Sequence, residues 1–164
     1  MTHHTEPCPG CRAQFMPAEG PTHPYMLSSP ACWRAYGDVL AREYENPDLF
    51  AAAHRFTVDA FALQHPGDLS DKRALQSVWV HYCSLHLVFE KGVTTAQATQ
   101  ALQRLAGSAF APISETPASY DITTVDLANA TLETHAERAV AWARSAYEAW
   151  SQLKDGAVRL TASL

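Results

Sequence analysis

From residue 31 onwards, apolar side chains recur every three or four positions, which is the spacing that places them on one face of an α-helix. Polar residues fill the positions between them, and helix start and stop signals separate one periodic segment from the next. We therefore predict helices over residues 31–44, 47–64, 70–91, 95–106 and 124–154. Evidence for strands is confined to the segment 1–31, so the predicted fold class is all-α.

The segment at 124–154 carries a long stripe of positions that face the core of a helical protein. Its members follow one another at intervals of three and four residues: Ala128, Leu132, His135, Ala139, Trp142, Ala146, Trp150 and Leu153. Short connections between helices of this kind favour an antiparallel bundle of four to five helices, here over residues 32–154. The residues that follow, 155–164, are predicted to form a C-terminal tail.

The segment 1–31 has a different character, because it is dense in proline and glycine and shows no helical period. Such a stretch has few means of ordering itself, yet it contains Cys8-Pro9-Gly10-Cys11. The short C-x2-C turn directs both sulfurs toward one point, and Gly10 relieves crowding in that turn. Residues 1–31 are therefore predicted to form a zinc-knuckle cap, with a short hairpin, that packs on the bundle.

Two further residues complete a set of four candidate metal ligands. His23 and Cys32 follow Cys8 and Cys11 in the pattern C-x2-C-x11-H-x8-C. Three cysteines and one histidine are the ligands that a tetrahedral Zn²⁺ site uses. Four protein ligands would make such a site structural, whereas a water molecule in the fourth position would make it catalytic.

Two histidines of the second predicted helix, His54 and His65, compete for the fourth ligand position. They lie on one helix face but about 16 Å apart along the axis, so a regular helix cannot bring both to one metal ion. Asp59 points away from that face. His81 and His135 would meet these histidines inside the bundle if the buried stripes pack together, and polar groups there need partners.

Composition and charge exclude several classes of function. The 164-residue chain has a net charge of −5 and no basic stripe, which disfavours binding to nucleic acid. No apolar run is long enough for a membrane span, and the N-terminus lacks the apolar core of a signal peptide. We therefore expect a cytoplasmic protein, whose reduced thiols bind metal rather than form disulfides.

Four motifs give the chain a resemblance to a known family. Residues 8–11 carry C-P-x-C, 20–26 carry G-P-T-H-x-Y-M, 32–33 carry C-W, and 54–67 carry H-R-x-T-V-D-A-F-A-x-Q-H-P-G. In these motifs the chain resembles a bacterial family, typical of actinobacteria, that is catalogued as a domain of unknown function. The resemblance extends from the first cysteine to the final helix, where it includes one histidine and two spaced tryptophans.

The resemblance ranks the histidines but implies no activity. It places His23 and His65 within family motifs, which favours both over His3, His4 and His86. Two positions depart from the family pattern. Arg12 stands where a glycine is usual, and Phe61 replaces a tyrosine, which removes a hydroxyl group from the expected pocket.

Two functions of different classes remain at this point. The first is a zinc-dependent enzyme of the hydrolase or lyase type, with a pocket between the cap and helix 47–65 and with His65, Asp59 and His54 as its catalytic candidates. The alternative is a non-catalytic, zinc-stabilised helical module that binds a small molecule or a partner protein. A metal or redox sensor is disfavoured, because such sensors commonly bind DNA as well. An open zinc coordination position that faces the histidine stripe would distinguish the enzyme from the module.

Overall fold

The computed structural model describes residues 4–164 and confirms the predicted all-α class. Its α-helices, in chain order, are α1 (Pro30–Tyr44), α2 (Pro47–Gln64), α3 (Lys72–Lys91), α4 (Thr95–Leu102), α5 (Thr124–Ala128), α6 (Leu132–Ala149) and α7 (Lys154–Thr161). In the described part of the cap, β1 (Glu6–Pro7) and β2 (Gln14–Phe15) form the expected antiparallel hairpin. Residues 1–3 of the predicted cap lie outside the described residues.

The first three helices begin and end close to their predicted boundaries, because local signals fix them. Ser29 accepts a hydrogen bond from the Cys32 amide at 3.2 Å, ahead of Pro30 in the first turn of α1. The Asp71 carboxylate accepts amide hydrogen bonds at the start of α3, and Gly92 ends that helix in the left-handed conformation with φ of 67°. Each of these signals is visible within a few residues of the helix end.

The long helix predicted over 124–154 is interrupted in the structure. Arg42 of α1 donates hydrogen bonds to the carbonyl oxygens of Leu127, Ala128 and Ala130. These bonds satisfy carbonyl groups at the C-terminal end of α5. Thr131 then caps α6, and a second break at Trp150 leads through a short 3-10 turn into α7. A distant arginine sets the first break, so the local pattern did not predict it.

Residues 155–164, predicted to be a tail, contain most of α7, which packs against α3. Gly156 makes this contact because a Cβ atom there would lie 2.3 Å from the indole ring of Trp79. The neighbouring Ala157 is fully buried. Since Gly156 lies inside α7, it serves as a packing residue rather than as a helix end.

Helix α2 lies at the centre of the molecule and packs against α1, α3 and α6. Its last carbonyl groups have partners from distant residues. The indole of Trp150 donates to the Leu63 carbonyl at 2.8 Å, and the Tyr120 hydroxyl donates to the same oxygen at 3.1 Å. The cap joins this end through the Leu27 amide, which donates to the His65 carbonyl at 3.1 Å. The C-terminal end of α2 is therefore held in one position by the cap and the bundle together.

Among residues 4–164, no helix combines the length and the apolar character that crossing a lipid bilayer requires.

Candidate metal centre

Four buried side chains converge where the cap meets the ends of α1 and α2. The ligand atoms of Cys8, Cys11, Cys32 and His65 all lie within 4.8 Å of one another. The sulfurs of Cys11 and Cys32 are 3.8 Å apart, and Cys32 Sγ is 3.3 Å from His65 Nε2. Two sulfurs bound at about 2.3 Å to one tetrahedral zinc ion lie about 3.8 Å apart. The cluster therefore has the donor atoms and the spacing to hold a metal ion.

Three local structures deliver these ligands. Cys8 and Cys11 lie on the turn between β1 and β2, which is closed by a hydrogen bond from the Cys8 amide to the Ala13 carbonyl at 2.8 Å. Cys32 lies in the first turn of α1, and His65 is the residue that ends α2. A hairpin turn, a helix start and a helix end thus meet at one point.

The turn of the hairpin contains two residues with special backbone requirements. A Cβ atom on Gly10 would lie 2.3 Å from the Leu27 carbonyl oxygen and 2.5 Å from Cδ2 of His65, so only glycine permits this approach. Arg12 has a positive φ of 67°, a conformation that costs about 1–2 kcal/mol for residues with a side chain. A glycine at this position would adopt the same conformation without that cost.

The imidazole of His65 is oriented for ligation. Its Nδ1 lies 2.7 Å from the carbonyl oxygen of Phe61, which can only accept, so Nδ1 carries the proton. The lone pair of the neutral ring is therefore on Nε2, the atom that faces Cys32. The Phe61 ring stacks on this imidazole at 3.8 Å between centroids and on Tyr36 at the same distance. Phe61 is thus a fully buried packing residue and not part of a pocket face, contrary to the expectation from the sequence.

Without a metal ion, the surroundings of the three cysteines favour a state in which only Cys8 is ionised. Hydrogen bonds from Cys11 and then Cys32 lower the pKa of Cys8 below its usual range, and the Ser29 amide also donates to its sulfur at 3.5 Å. Hydrogen bonds with Cys11 and Cys8, followed by burial, raise the pKa of Cys32 far above its usual range. A divalent cation is what would permit all three sulfurs to ionise in so buried a place.

His23, the ligand predicted first from spacing, lies outside this cluster. Its Nδ1 accepts a hydrogen bond from the Tyr25 amide at 3.3 Å, and its ring packs edge-on against Tyr25 and Trp33. The structure thus offers His65, which the sequence left as a competitor, in place of His23. Spacing could not rank the two, because the choice depends on where the end of α2 meets the cap.

Asp59, a catalytic candidate, lies in a second polar cluster between α2 and α3. The carboxylate is fully buried and accepts from Arg55 Nε at 3.0 Å, from Ser84 Oγ at 2.6 Å and from His81 Nδ1 at 2.7 Å. Arg55 Nη2 lies 2.9 Å from Asp59 Oδ1, an ionic contact that lacks hydrogen-bond geometry. Asp59 therefore has no contact with the cysteine cluster and instead orients His81.

His54, the remaining catalytic candidate, belongs to a third cluster centred on Glu43 of α1. The buried Glu43 carboxylate accepts from His54 Nδ1 and from His135 Nε2, each at 2.8 Å. Arg42 donates to His135 Nδ1 at 3.2 Å, which leaves the proton of a neutral ring on Nε2. His54 and His135 thus converge on Glu43, as the sequence predicted for packed buried stripes, whereas His81 hydrogen-bonds to Asp59 in the second cluster. The sequence analysis missed Glu43, although it continues the buried stripe of α1 formed by Cys32, Tyr36 and Val39.

Two adjoining cavities lie between the cap and α3. The larger, of about 380 Å³, is lined by Pro24, Tyr25, Met26, Leu27, Gly67, Asp68, Asp71, Arg73 and Ala74. The smaller, of about 270 Å³, is lined by Tyr25, Arg73, Gln76, Ser77, Val80 and His81. A third cavity, of about 240 Å³, lies between the cap and the end of α2, where the sequence predicted a pocket, and is lined by Pro9, Gly10, Arg12, Leu27, Pro66, Gly67, Thr116, Pro117 and Tyr120. Among the described residues, none of the three linings includes a residue of the cysteine–histidine cluster.

Comparison with curated proteins gives no match, and comparison with solved structures gives none either. A family described as "Family of unknown function (DUF5946)" matches residues 6–151. The matched region includes the hairpin, all four residues of the candidate metal centre and every helix from α1 to α6. The chain therefore belongs to this family of unknown function.

Proposed function

We propose that this protein is a zinc-stabilised helical module that binds a small molecule. In this proposal Cys8, Cys11, Cys32 and His65 hold one structural Zn²⁺, which fastens the cap to the ends of α1 and α2. The observation that carries the proposal is the convergence of four buried ligand atoms within 4.8 Å. The cap then supplies one wall of the cavities that it forms with α3.

The donor set favours zinc over other common metal ions. Three thiolates with one imidazole form a typical structural zinc site, while calcium and magnesium prefer oxygen ligands. With Zn²⁺ bound, three thiolates leave a net charge of about −1 at the centre. The hydrogen bond from His65 Nδ1 to a carbonyl oxygen is the outer-shell contact that metal-bound histidines usually make.

Burial of the ligands supports a structural rather than a catalytic metal. Each of the four side chains is at most 1 % exposed, and four protein ligands fill a tetrahedral coordination sphere. Catalytic zinc keeps one position for water or substrate, which needs access from a cavity. The geometry thus favours the non-catalytic module over a zinc-dependent hydrolase or lyase. Cytoplasmic residence, in the bacterial setting that the resemblance implies, would keep the three cysteines reduced.

Metal analysis of the purified protein tests the proposal. We expect about one equivalent of zinc per chain, and Cys8→Ser should lower both the zinc content and the melting temperature, because it removes a thiolate ligand. Cys83→Ser is the matched control. Cys83 lies outside the cluster, and burial raises the pKa of its thiol to about 12, which disfavours the thiolate that a metal would need. The zinc content of the Cys83→Ser variant should therefore stay unchanged.

A second pair of variants separates the two candidate histidines. His65→Ala should lose zinc as Cys8→Ser does, whereas His23→Ala should keep it, because His23 lies outside the cluster and its ring packs against Tyr25 and Trp33. Protein that contains no zinc, binds none on addition and melts at the same temperature with a chelator would refute the proposal.

A further inference from the structure

We infer that the two cavities between the cap and α3 form one groove for a small organic anion, with its anionic group at Arg73 and a hydrogen-bond donor at His81. This inference rests on the proposed function, because the zinc-fastened cap supplies one wall of the groove. It adds the chemical class of the ligand and the residues that recognise it.

The two cavities are continuous in their lining, since Tyr25 and Arg73 contribute to both. Their volumes, of about 380 and 270 Å³, together match the range of small-molecule sites. Arg73, Ser77 and His81 follow one another at intervals of four on α3, so one helix face supplies the polar side of the groove.

Charge in the smaller cavity favours an anion. Among the described residues that line this cavity, Arg73 alone carries a permanent charge. Its guanidinium can bind a carboxylate or a phosphate through two parallel hydrogen bonds. The larger cavity is lined by two carboxylates, Asp68 and Asp71, whereas the described lining of the smaller has none, so the anionic group is expected in the smaller cavity. Asp71 accepts from the amides of Arg73 and Ala74, and Asp68 accepts from Ser70.

His81 is held so that one ring nitrogen faces the groove. Its Nδ1 donates to the fully buried Asp59 carboxylate, which is itself fixed by Arg55 and Ser84. The His81 side chain is 16 % exposed and lines the smaller cavity. Nε2 of the neutral ring is therefore an oriented hydrogen-bond acceptor at the cavity wall, with Asp59 as its positioning residue.

The opposite wall is apolar and open. Tyr25 is 40 % exposed and Leu27 is 49 % exposed, and both line the larger cavity together with Pro24 and Met26. Large apolar side chains that are this exposed beside a polar cavity are typical of a ligand-binding surface. Of these side chains, Tyr25 also lines the smaller cavity with Arg73 and His81, so its ring favours a ligand with a flat apolar body.

The distance between the two polar contacts sets the shape of the ligand. Arg73 and His81 are eight residues apart on α3, which corresponds to about 12 Å along the axis before their side chains extend. The anionic group and the donor must therefore lie on opposite sides of the apolar body. A phenolic carboxylic acid has this arrangement, and 4-hydroxybenzoate is its simplest probe.

Titration of the zinc-loaded protein, followed by NMR, tests the inference with three probes. We expect 4-hydroxybenzoate to bind saturably, and benzoate and phenol to bind about tenfold more weakly, because each lacks one of the two polar groups. Arg73→Gln should reduce the affinity for 4-hydroxybenzoate to that for phenol, and His81→Ala should reduce it to that for benzoate. Lys72→Gln is the control, since Lys72 is exposed at the same helix start but lines neither cavity.

Ring nitrogen shifts test the positioning by Asp59 separately. In the unmodified protein, ¹⁵N shifts of His81 should show the proton of the neutral ring on Nδ1, and Asp59→Asn should shift that balance. If Asp59→Asn does not fold, the assignment in the unmodified protein decides alone, and a proton on Nε2 overturns the acceptor role.

Zinc-loaded protein that binds none of the probes saturably, or that binds 4-hydroxybenzoate equally well after Arg73→Gln, overturns the groove inference. That result leaves the zinc proposal intact. Loss of zinc binding, by contrast, would appear in metal analysis before any probe is added.

Discussion

At the scale of single residues, the hairpin turn shows how closely the backbone constrains side-chain choice. Gly10 is fixed by contact with the Leu27 carbonyl and the His65 ring, whereas Arg12 occupies a conformation that glycine adopts without cost. The C-P-G-C turn indicated Gly10 from the sequence alone. The physical constraints at the two positions, the close contacts at Gly10 and the positive φ of Arg12, are visible only in the structure.

Gly10→Ala should weaken metal binding without removing a ligand. The added methyl group would overlap the Leu27 carbonyl oxygen, so the hairpin must shift away from His65. We expect reduced zinc affinity in a chelator competition assay and a melting temperature lower by several degrees.

The control for this variant is Gly37→Ala, because a Cβ atom there meets nothing within 4 Å. Gly37 lies inside α1, so alanine should raise the free energy of unfolding by about 1 kcal/mol through helix propensity. Equal zinc affinity in the two variants would contradict the role assigned to Gly10.

At the scale of secondary structure, Glu43 joins three helices through one carboxylate. It accepts from Thr57 and His54 of α2 and from His135 of α6, while it belongs to α1 itself. All of its hydrogen bonds are made in a fully buried position, where an unpaired donor is costly. This cluster is a buried polar connection among α1, α2 and α6.

Glu43→Gln should therefore destabilise the fold while it preserves side-chain size. A glutamine offers one acceptor oxygen in place of two and directs an NH₂ group at a donor, so at least one buried hydrogen bond is lost. We expect the free energy of unfolding in urea to fall by about 1–3 kcal/mol. Glu45→Gln, on the exposed end of the same helix, should change it by less than about 0.5 kcal/mol.

The elements differ in how far local sequence could predict them. Helices α1 to α3 were predicted to within two residues at each end, because prolines, caps and Gly92 act locally. The division of the last predicted helix depends on Arg42, which is 85 or more residues away from the carbonyls it contacts. Likewise, spacing identified the three cysteines, but only the packed position of α2 distinguishes His65 from His23.

At the scale of the whole molecule, the candidate metal centre and the bundle have different sources of stability. The bundle has a core of large buried side chains, including Phe61, Tyr82, Trp142 and Trp150. The cap has one short hairpin, and apart from its cysteines the apolar side chains that it packs on the core, Ala13, Phe15 and Met26, are only partly buried. Loss of metal should therefore affect the two parts unequally.

Treatment with a chelator should loosen the cap before it unfolds the helices. We expect amide hydrogen exchange to increase over residues 6–28 and at the end of α2, while α3 and α6 keep their protection. Far-UV circular dichroism should lose little helix signal below the new melting temperature. A uniform increase in exchange across the bundle would show that the metal supports the entire fold.

The spacing of the four ligands along the chain has a topological consequence. Bound metal would close three successive loops: a short one from Cys8 to Cys11, and two longer ones in which the ligands are 21 and 33 residues apart, from Cys11 to Cys32 and from Cys32 to His65. Such a cross-link restricts the unfolded ensemble as a disulfide does, in an amount that grows slowly with loop length. All of this restriction falls on the part of the chain between Cys8 and His65. The part that follows His65 keeps its full conformational entropy when unfolded, so its order comes from packing alone.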